Sequence, residues 1–432
     1  MSDPEMAAVG RSEAFIVFLN IGFLSFGGPA AQIALMHRIL VDERKWLSEK
    51  QYLNALSFCM LLPGPEAMQL ATYAGWRLHG IRGGLVAGSL FVLPGALVIF
   101  TLAALYVTYG NVPLVDTLFL GVQAAAVVIV IEALLRVSKR ALRERAHFLI
   151  AGLAFVAIFF LAAPFPLIVL VAAIFGALTT KPTEIETTAP APAVGFGRAA
   201  MTIGIGLLAW FLPLALVELL SGAPILTQVG IFFSKLAVVT FGGAYAVLAY
   251  MAQDVVTDLG WLTATEMMDG LGLAETTPGP LILVTQFVAF LAGFGAGGFK
   301  LAAASALITL WVTFVPCFIW IFAGAPYIER ISAQPRLSGA LSAITAAVVG
   351  VILNLSVWFA LHVVFGQVTA TQNGPVTLWT PELASIKPLA LLLIVLAGYL
   401  LLRRHLGVGW VLLVCAATAL AGNFALTYID SF

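Results

Sequence analysis

Two identical tripeptides, Pro63-Gly64-Pro65 and Pro278-Gly279-Pro280, each interrupt an apolar run that would otherwise continue as one helix. Proline inside a helix removes a backbone hydrogen bond and clashes with the preceding turn, at a cost of about 3 kcal/mol or more, so two prolines around a glycine cannot be continuous helix. In hydrocarbon the released backbone groups need partners, and such a break survives only where it lines a cavity or packs against protein. Pro65 suits the first position of a new half-helix, whose bare N–H groups and positive dipole end face the break. The chemistry on offer is anion binding. Thr276 and Thr277 add two hydroxyl donors just before the second break.

Other polar groups gather near these breaks. Phe26-Gly27-Gly28-Pro29 and Phe241-Gly242-Gly243-Ala244 form a second pair of interruptions, suited to tight helix crossings or to a backbone lining for a site. Lys235 lies in the apolar run before the second double glycine, where an ammonium buried in a membrane marks a pathway with an anion as its natural partner, the alternative being a lysine that snorkels to an interface from near the start of its span. Asn20 occupies the corresponding place before the first. Gln69, three residues after Glu66, shares a face with it and offers a further donor. Glu66 follows its break, where a helix start favours a carboxylate. Glu275 precedes its break, where desolvation and the dipole both oppose negative charge. An ionised glutamate beside an anion site repels the anion, which links proton uptake to anion binding and makes Glu66 and Glu275 candidates for proton coupling. Glu132 and Glu218 read as interfacial, and His362 as a satisfied core or interface histidine.

The elements that must position these residues are set by composition. Of 432 residues, 61% are hydrophobic and 10% charged, with mean hydropathy +1.05; a soluble globular protein has about 25% charged residues. A span takes about 20 apolar residues, so the chain is polytopic. Apolar runs fall near 13–36, 51–77, 84–109, 112–135, 147–162, 165–180, 198–220, 228–252, 266–293, 300–325, 337–365, 386–402 and 408–428, which predicts about 13 transmembrane segments (range 10–13). A polar, proline-rich linker covers 181–197. It divides a first repeat (1–180) from a connecting helix (198–220) and a second repeat (221–432). No removable signal peptide is evident in residues 1–11. The basic cluster from Arg136 to Arg145 orients the N-terminus toward the cytoplasm; the loop from His37 to Lys50 opposes this, its charge partly neutralised by Asp42, Glu43 and Glu49. Zero net charge argues against nucleic acid. Cys59, Cys317 and Cys415 stand far apart as small hydrophobes, and no Cys/His set has metal spacing. Walker-type, His-Glu-x-x-His and Gly-x-Ser-x-Gly motifs are absent, so the sequence gives no metal, cofactor or catalytic residue.

The two sets of breaks belong to one duplication. Phe26-Gly27-Gly28 recurs as Phe241-Gly242-Gly243, Trp46-Leu47 as Trp261-Leu262, and Pro63-Gly64-Pro65 as Pro278-Gly279-Pro280, all at an offset of 215 residues. Beyond the second break Pro94 pairs with Pro316 and Ala125 with Ala346, so the second copy carries a short insertion near Gly293 to Lys300. If the copies begin with the first and eighth spans, the odd shift inverts one against the other, a recurring plan of transporters whose substrate binds at the repeat interface. The expected fold is therefore all-α: a polytopic membrane protein of two inverted homologous repeats with helices broken at Pro-Gly-Pro.

Two halves that each carry Phe-Gly-Gly, a Trp-Leu pair and Pro-Gly-Pro, in a chain of this length, resemble the chromate ion transporter family. The resemblance implies a secondary active transporter rather than an enzyme, which exports chromate across the bacterial inner membrane, driven by the proton gradient, with protons and the lipid bilayer as its partners. Sulfate is the isosteric alternative substrate, a passive anion channel the alternative mechanism, and a homodimer is left open. The substrate-binding candidates are Asn20, Gly27, Gly28, Pro63, Gly64, Pro65, Gln69, Lys235, Gly242, Gly243, Thr276, Thr277, Pro278, Gly279 and Pro280.

Overall fold

The computed structural model describes residues 9–110, 112–180, 196–241, 244–328 and 334–430. The expected linker lies outside the described residues except for Phe196 and Gly197, which open a helix.

The apolar runs are helices, and the four runs that contain a glycine or proline break are each two helices. The first run gives α1 (Arg11–Leu24) and α2 (Gly28–His37), and the second gives α3 (Glu49–Leu61) and the start of α4 (Glu66–Tyr109). There follow α5 (Pro113–Ala141), α6 (Arg145–Leu161), α7 (Phe165–Thr179) and α8 (Phe196–Ser221). The second copy has α9 (Pro224–Val239), α10 (Ala244–Gln253), α11 (Ala264–Thr276), α12 (Val284–Gly297), α13 (Phe299–Gly324) and α14 (Pro335–Val364). A hairpin, β1 (Val368–Asn373) and β2 (Val376–Pro381), precedes α15 (Pro388–Gly398) and α16 (Val408–Asp430). Among the described residues five helices are long and apolar enough to cross a membrane, and several shorter ones are apolar. The fold is that of an all-α membrane protein with one small exposed hairpin, which the sequence reading did not anticipate.

The duplication is visible in local structure. In the first copy α2 ends in a π-turn (Arg38–Glu43), Lys45 is left-handed at φ 54°, and Trp46 and Leu47 both donate from their amides to Leu40 O. In the second the π-turn is Asp254–Asp258, Gly260 has φ 59°, and the amides of Trp261 and Leu262 donate to Val255 O. Reciprocal capping boxes then start the next helices, Ser48 with Gln51 for α3 and Thr263 with Glu266 for α11. The Trp-Leu landmark thus marks a backbone corner at the same place in each copy.

The chain forms two compact units, each with segments from both copies: residues 1–100, 177–244 and 277–339 in one, 101–176, 245–276 and 340–432 in the other. The helix α4 is two helices, 66–78 and 81–109, because His79 and Gly80 leave helical geometry and Gly80 takes φ 63°, ψ −155°. The turn between α12 and α13 repeats this, with Gly298 at φ 79°, ψ −166°. This region of backbone space is essentially closed to side-chain-bearing residues. Each turn folds a half-helix back on a long helix at very short range: a Cβ on Gly75 would lie 2.4 Å from Gly83 O, and one on Gly293 2.5 Å from Leu301 O. Small residues permit such backbone approach where lipid offers no hydrophobic driving force between helices.

The second unit packs α5, α15 and α16 around Ala125, Val128, Ile129, Ala397, Leu401, Val411, Leu412 and Cys415. Its hairpin turns at Gly374-Pro375 with Gly374 at φ 62°. Trp379 from β2 meets His362, whose ring also lies tilted against Trp358 and donates from Nδ1 to Trp358 O at 2.8 Å. His362 is the satisfied histidine that its setting in the sequence suggested.

Candidate functional site

The breaks are built by reciprocal exchange between the copies. Gly64 N–H donates to Thr240 O at 2.8 Å, and Gly279 N–H donates to Ser25 O at 2.8 Å. Gly64 and Gly279 are partners in the repeat, as are Ser25 and Thr240, so each Pro-Gly-Pro closes on the opposite copy's first break. The ends of α1 and α9 are finished alike, with Ser25 Oγ donating to Ile21 O (2.5 Å) and Thr240 Oγ1 to Leu236 O (2.6 Å). The long helices cover the breaks in the same crossed sense. A Cβ on Gly95 would meet Pro278 O at 2.0 Å, and one on Gly64 would meet Cys317 Sγ at 2.8 Å. Gly64 and Gly279 take φ 118° and 88°, conformations that glycine supplies at low cost.

This exchange assembles a small cavity lined by Pro29, Gln32, Gly64, Pro65, Glu66, Ala67, Ala244, Pro280, Leu281 and Ile282. Four segment starts meet there. Pro29 opens α2, Glu66 and Ala67 open α4, Ala244 opens α10, and Leu281 and Ile282 open the 3₁₀ turn that leads into α12. The amides at a helix start have no intrahelical acceptor, and the macrodipole places about half a positive charge there. Gln32, 2% exposed, secures the cavity wall: its Nε2 donates to Gly279 O at 2.6 Å and to Ser25 O at 3.3 Å. Gln69, fully buried, donates from Nε2 to Pro63 O at 2.7 Å, and its Oε1 finds no partner among the described residues.

The candidates from sequence divide accordingly. Gly64, Pro65, Pro280 and Glu66 line the cavity; Pro63, Gln69, Pro278 and Gly279 hold its walls, and Thr277 is buried beside them. Gly27 and Gly28 form the left-handed corner (φ 84° and 78°) that admits α2. Pro65 precedes the helix rather than opening it, since α4 starts at Glu66. Gly242 and Gly243 lie outside the described residues. Asn20 and Lys235 do not line this cavity; both are exposed on α1 and α9. Thr276 is exposed too, its hydroxyl donating to Leu273 O rather than toward a ligand. Glu275, in the other unit, accepts from Tyr245 Oη at 2.7 Å.

Three features escaped the sequence reading. Ser305, Thr309 and Thr313 recur every fourth residue on α13 toward Cys317, all buried, and their hydroxyls have no partner among the described residues. Arg11, His79 and Arg82 line a second cavity in the first unit. Asp269, 3% exposed on α11, accepts from Tyr106 and Gln123. At the surface, the opposing charge of the His37–Lys50 loop is offset locally: Arg44 pairs with Glu13 at 2.7 Å, Arg38 with Glu43 at 3.4 Å, and His37 with Glu49 at 2.7 Å. The Glu49 hydrogen bond, with help from Asp42, raises the His37 pKa above its ordinary 6.5.

The chain matches the family described as "Chromate transporter" over residues 12–177 and 227–422, both copies and most of the length. The chain belongs to the chromate transporter family. Among relatives in that family, the chromate transport protein of Pseudomonas aeruginosa is 32% identical over 348 residues, 79% of either chain. The chromate transport protein of Cupriavidus metallidurans is 29% identical over 357 residues, covering 78% of this chain and 79% of that one. A probable chromate transport protein of Synechococcus elongatus is 29% identical over 348 residues, 78% of this chain and 81% of that one. No solved structure matches the chain. Membership of the chromate transporter family, with the long apolar helices, makes this a multi-pass membrane transporter and not an enzyme.

Proposed function

We propose that this protein moves chromate out of the cytoplasm across a bacterial inner membrane by proton-coupled secondary transport, binding the anion where the four segment starts converge. The observation that carries the reading is the cavity in which Gly64, Pro65 and Glu66 of one copy meet Pro280, Leu281 and Ile282 of the other. A tetrahedral dianion needs several converging donors and incomplete neutralisation by fixed charge, so that it can leave as well as enter. Bare amides at helix starts meet both needs; each such terminus contributes about 0.3–1 kcal/mol toward a nearby negative charge at an exposed site and up to ~2 where partly buried. Glu66 at the cavity edge opposes the anion while ionised, so its protonation and anion binding favour each other, and Glu275 is the second carboxylate in this coupling. Arg11 and Arg82, which line the second cavity of the same unit, place positive charge that attracts anions.

The architecture in this reading is a pair of inverted repeats, 1–180 and 221–432, joined through 181–197 and the helix over 198–220, with about 13 spans and a cytoplasmic N-terminus. The reciprocal bonds of Gly64 to Thr240 and Gly279 to Ser25 support it, because a twofold relation between copies generates crossed pairs of this kind. Chromate is favoured over sulfate by the names of the relatives.

The test is purified protein in proteoliposomes with radiolabelled chromate, with and without an imposed proton gradient and with sulfate as competitor. Accumulation beyond electrochemical equilibrium under the gradient, little reduced by equimolar sulfate, is the expected result. Movement that never passes equilibrium refutes coupled transport in favour of a passive channel. Accumulation of sulfate with chromate ignored reassigns the substrate.

A further inference from the structure

Asp269 sits two turns before the end of α11, the helix that runs directly into Thr277-Pro278-Gly279-Pro280. Its carboxylate is 3% exposed, and both oxygens are engaged by neutral donors from other elements. Tyr106, near the end of α4, donates its hydroxyl to Oδ2 at 2.7 Å, and Gln123 on α5 donates from Nε2 to Oδ1 at 2.8 Å. No cation pairs with it among the described residues. The other ionisable groups around it are acidic, Asp116 at the start of α5 and Glu266 on α11 itself, while α16 carries no charged residue from Val408 to Phe424 and only the thiol of Cys415. A carboxylate held this way in an apolar protein is costly, and in a membrane such a group by default marks a functional site.

The duplication sharpens the point. The residue equivalent to Asp269 in the first copy is Asn54, which has the same size and can accept hydrogen bonds but cannot bind a proton. A purely architectural role needs no more than the amide.

We propose that Asp269 is a proton-binding site of the transport cycle, with Tyr106 and Gln123 as the residues that hold it in both protonation states. The inference rests on the transport reading above and deepens it. When a proton from the aqueous phase adds to Oδ2, the new O–H donates to the Tyr106 oxygen, and the hydroxyl changes from donor to acceptor as its own hydrogen rotates away. Gln123 continues to donate to Oδ1, now the carbonyl oxygen of a neutral acid. Neither contact is lost, one negative charge is removed, and no redox partner or leaving group is involved. The charge that changes is carried on the helix whose last turn leads into the second break, so a proton on Asp269 biases the segment that forms the anion cavity wall.

The experiment compares wild type, Asp269→Asn and Tyr106→Phe in proteoliposomes. Three quantities are read: chromate counterflow at equal pH on both sides, chromate accumulation under a proton gradient, and chromate-dependent proton flux reported by an internal pH dye. Asp269→Asn is expected to retain counterflow while losing both gradient-driven accumulation and proton flux. Tyr106→Phe is expected to move the pH midpoint of accumulation, which loss of a merely structural contact would not do. Wild-type accumulation and pH dependence in Asp269→Asn overturn the proposal. If Asp269→Asn cannot be purified folded, Tyr106→Phe decides, and an unmoved midpoint overturns the proposal. Absence of chromate counterflow in the wild type defeats the transport reading itself, an outcome distinct from failure at Asp269.

Discussion

Replacing Gly64 by alanine tests whether the cavity depends on the crossed contact between copies. Two costs are separable. Gly64 has φ 118°, which an alanine adopts only with strain of about 1–3 kcal/mol. The added Cβ would also lie 2.8 Å from Cys317 Sγ and 2.8 Å from Gln69 Nε2, and crowding of that kind costs about a further 1–3 kcal/mol. Gln69 can yield only by giving up its bond to Pro63 O. Gly28→Ala is the reference, since Gly28 has φ 78° but no atom within 4 Å of an added Cβ, so it carries the strain alone. Thermal unfolding in detergent should therefore rank wild type above Gly28→Ala and Gly28→Ala above Gly64→Ala, the last two separated by about 1–3 kcal/mol. Adding Cys317→Ala should recover part of the Gly64→Ala loss, with a favourable coupling of about 0.5–2 kcal/mol in a double-mutant cycle. Chromate transport should follow the same order. Gly64→Ala no less stable than Gly28→Ala, or strictly additive with Cys317→Ala, would refute the crossed packing.

The two helix-hairpin turns offer a matched pair: Gly80→Ala and Gly298→Ala meet no atom within 4 Å and should each destabilise by the backbone term alone, about 1–3 kcal/mol, and by similar amounts. His37 gives a pH signature. Its raised pKa means that the His37–Glu49 pair stabilises fully below pH 6.5 and loses that contribution as pH rises through the folded-state pKa, so the thermal stability gap between wild type and Glu49→Gln should shrink between pH 6 and 8. A gap that widens over this range excludes a protonated His37 as the cause. Thr309→Val removes a fully buried hydroxyl that has no partner among the described residues, so thermal stability should rise by about 1 kcal/mol or more; a fall would mean that the hydroxyl is satisfied by internal water.

Much of this was legible in the sequence because it depends on local rules. Pro63-Gly64-Pro65 cannot be helix in any surroundings, and the offset of 215 residues carried the corners, caps and breaks of one copy onto the other. Less legible was the direction in which side chains point. Lys235 and Asn20 lie on helices that are apolar around their circumference, so no periodicity says which face meets protein and which meets lipid. Asp269 was passed over because it stands at the edge of an apolar run, although its duplicated counterpart Asn54 was there to flag it. The hairpin carried a signal of its own, Asn373-Gly374 between short β-branched stretches, that the search for apolar runs did not weigh.

The amino-acid sequence by itself determined that this is a membrane protein, duplicated, with helices interrupted at fixed places, because hydropathy, proline sterics and internal repetition act over a few residues and need no partner. Only the tertiary structure decided that each interruption closes on the other copy, Gly64 on Thr240 and Gly279 on Ser25. A broken backbone must find hydrogen-bond partners somewhere, but any carbonyl satisfies an amide. The choice among them is made by packing between segments as far apart as Gln32 and Gly279, 247 residues along the chain.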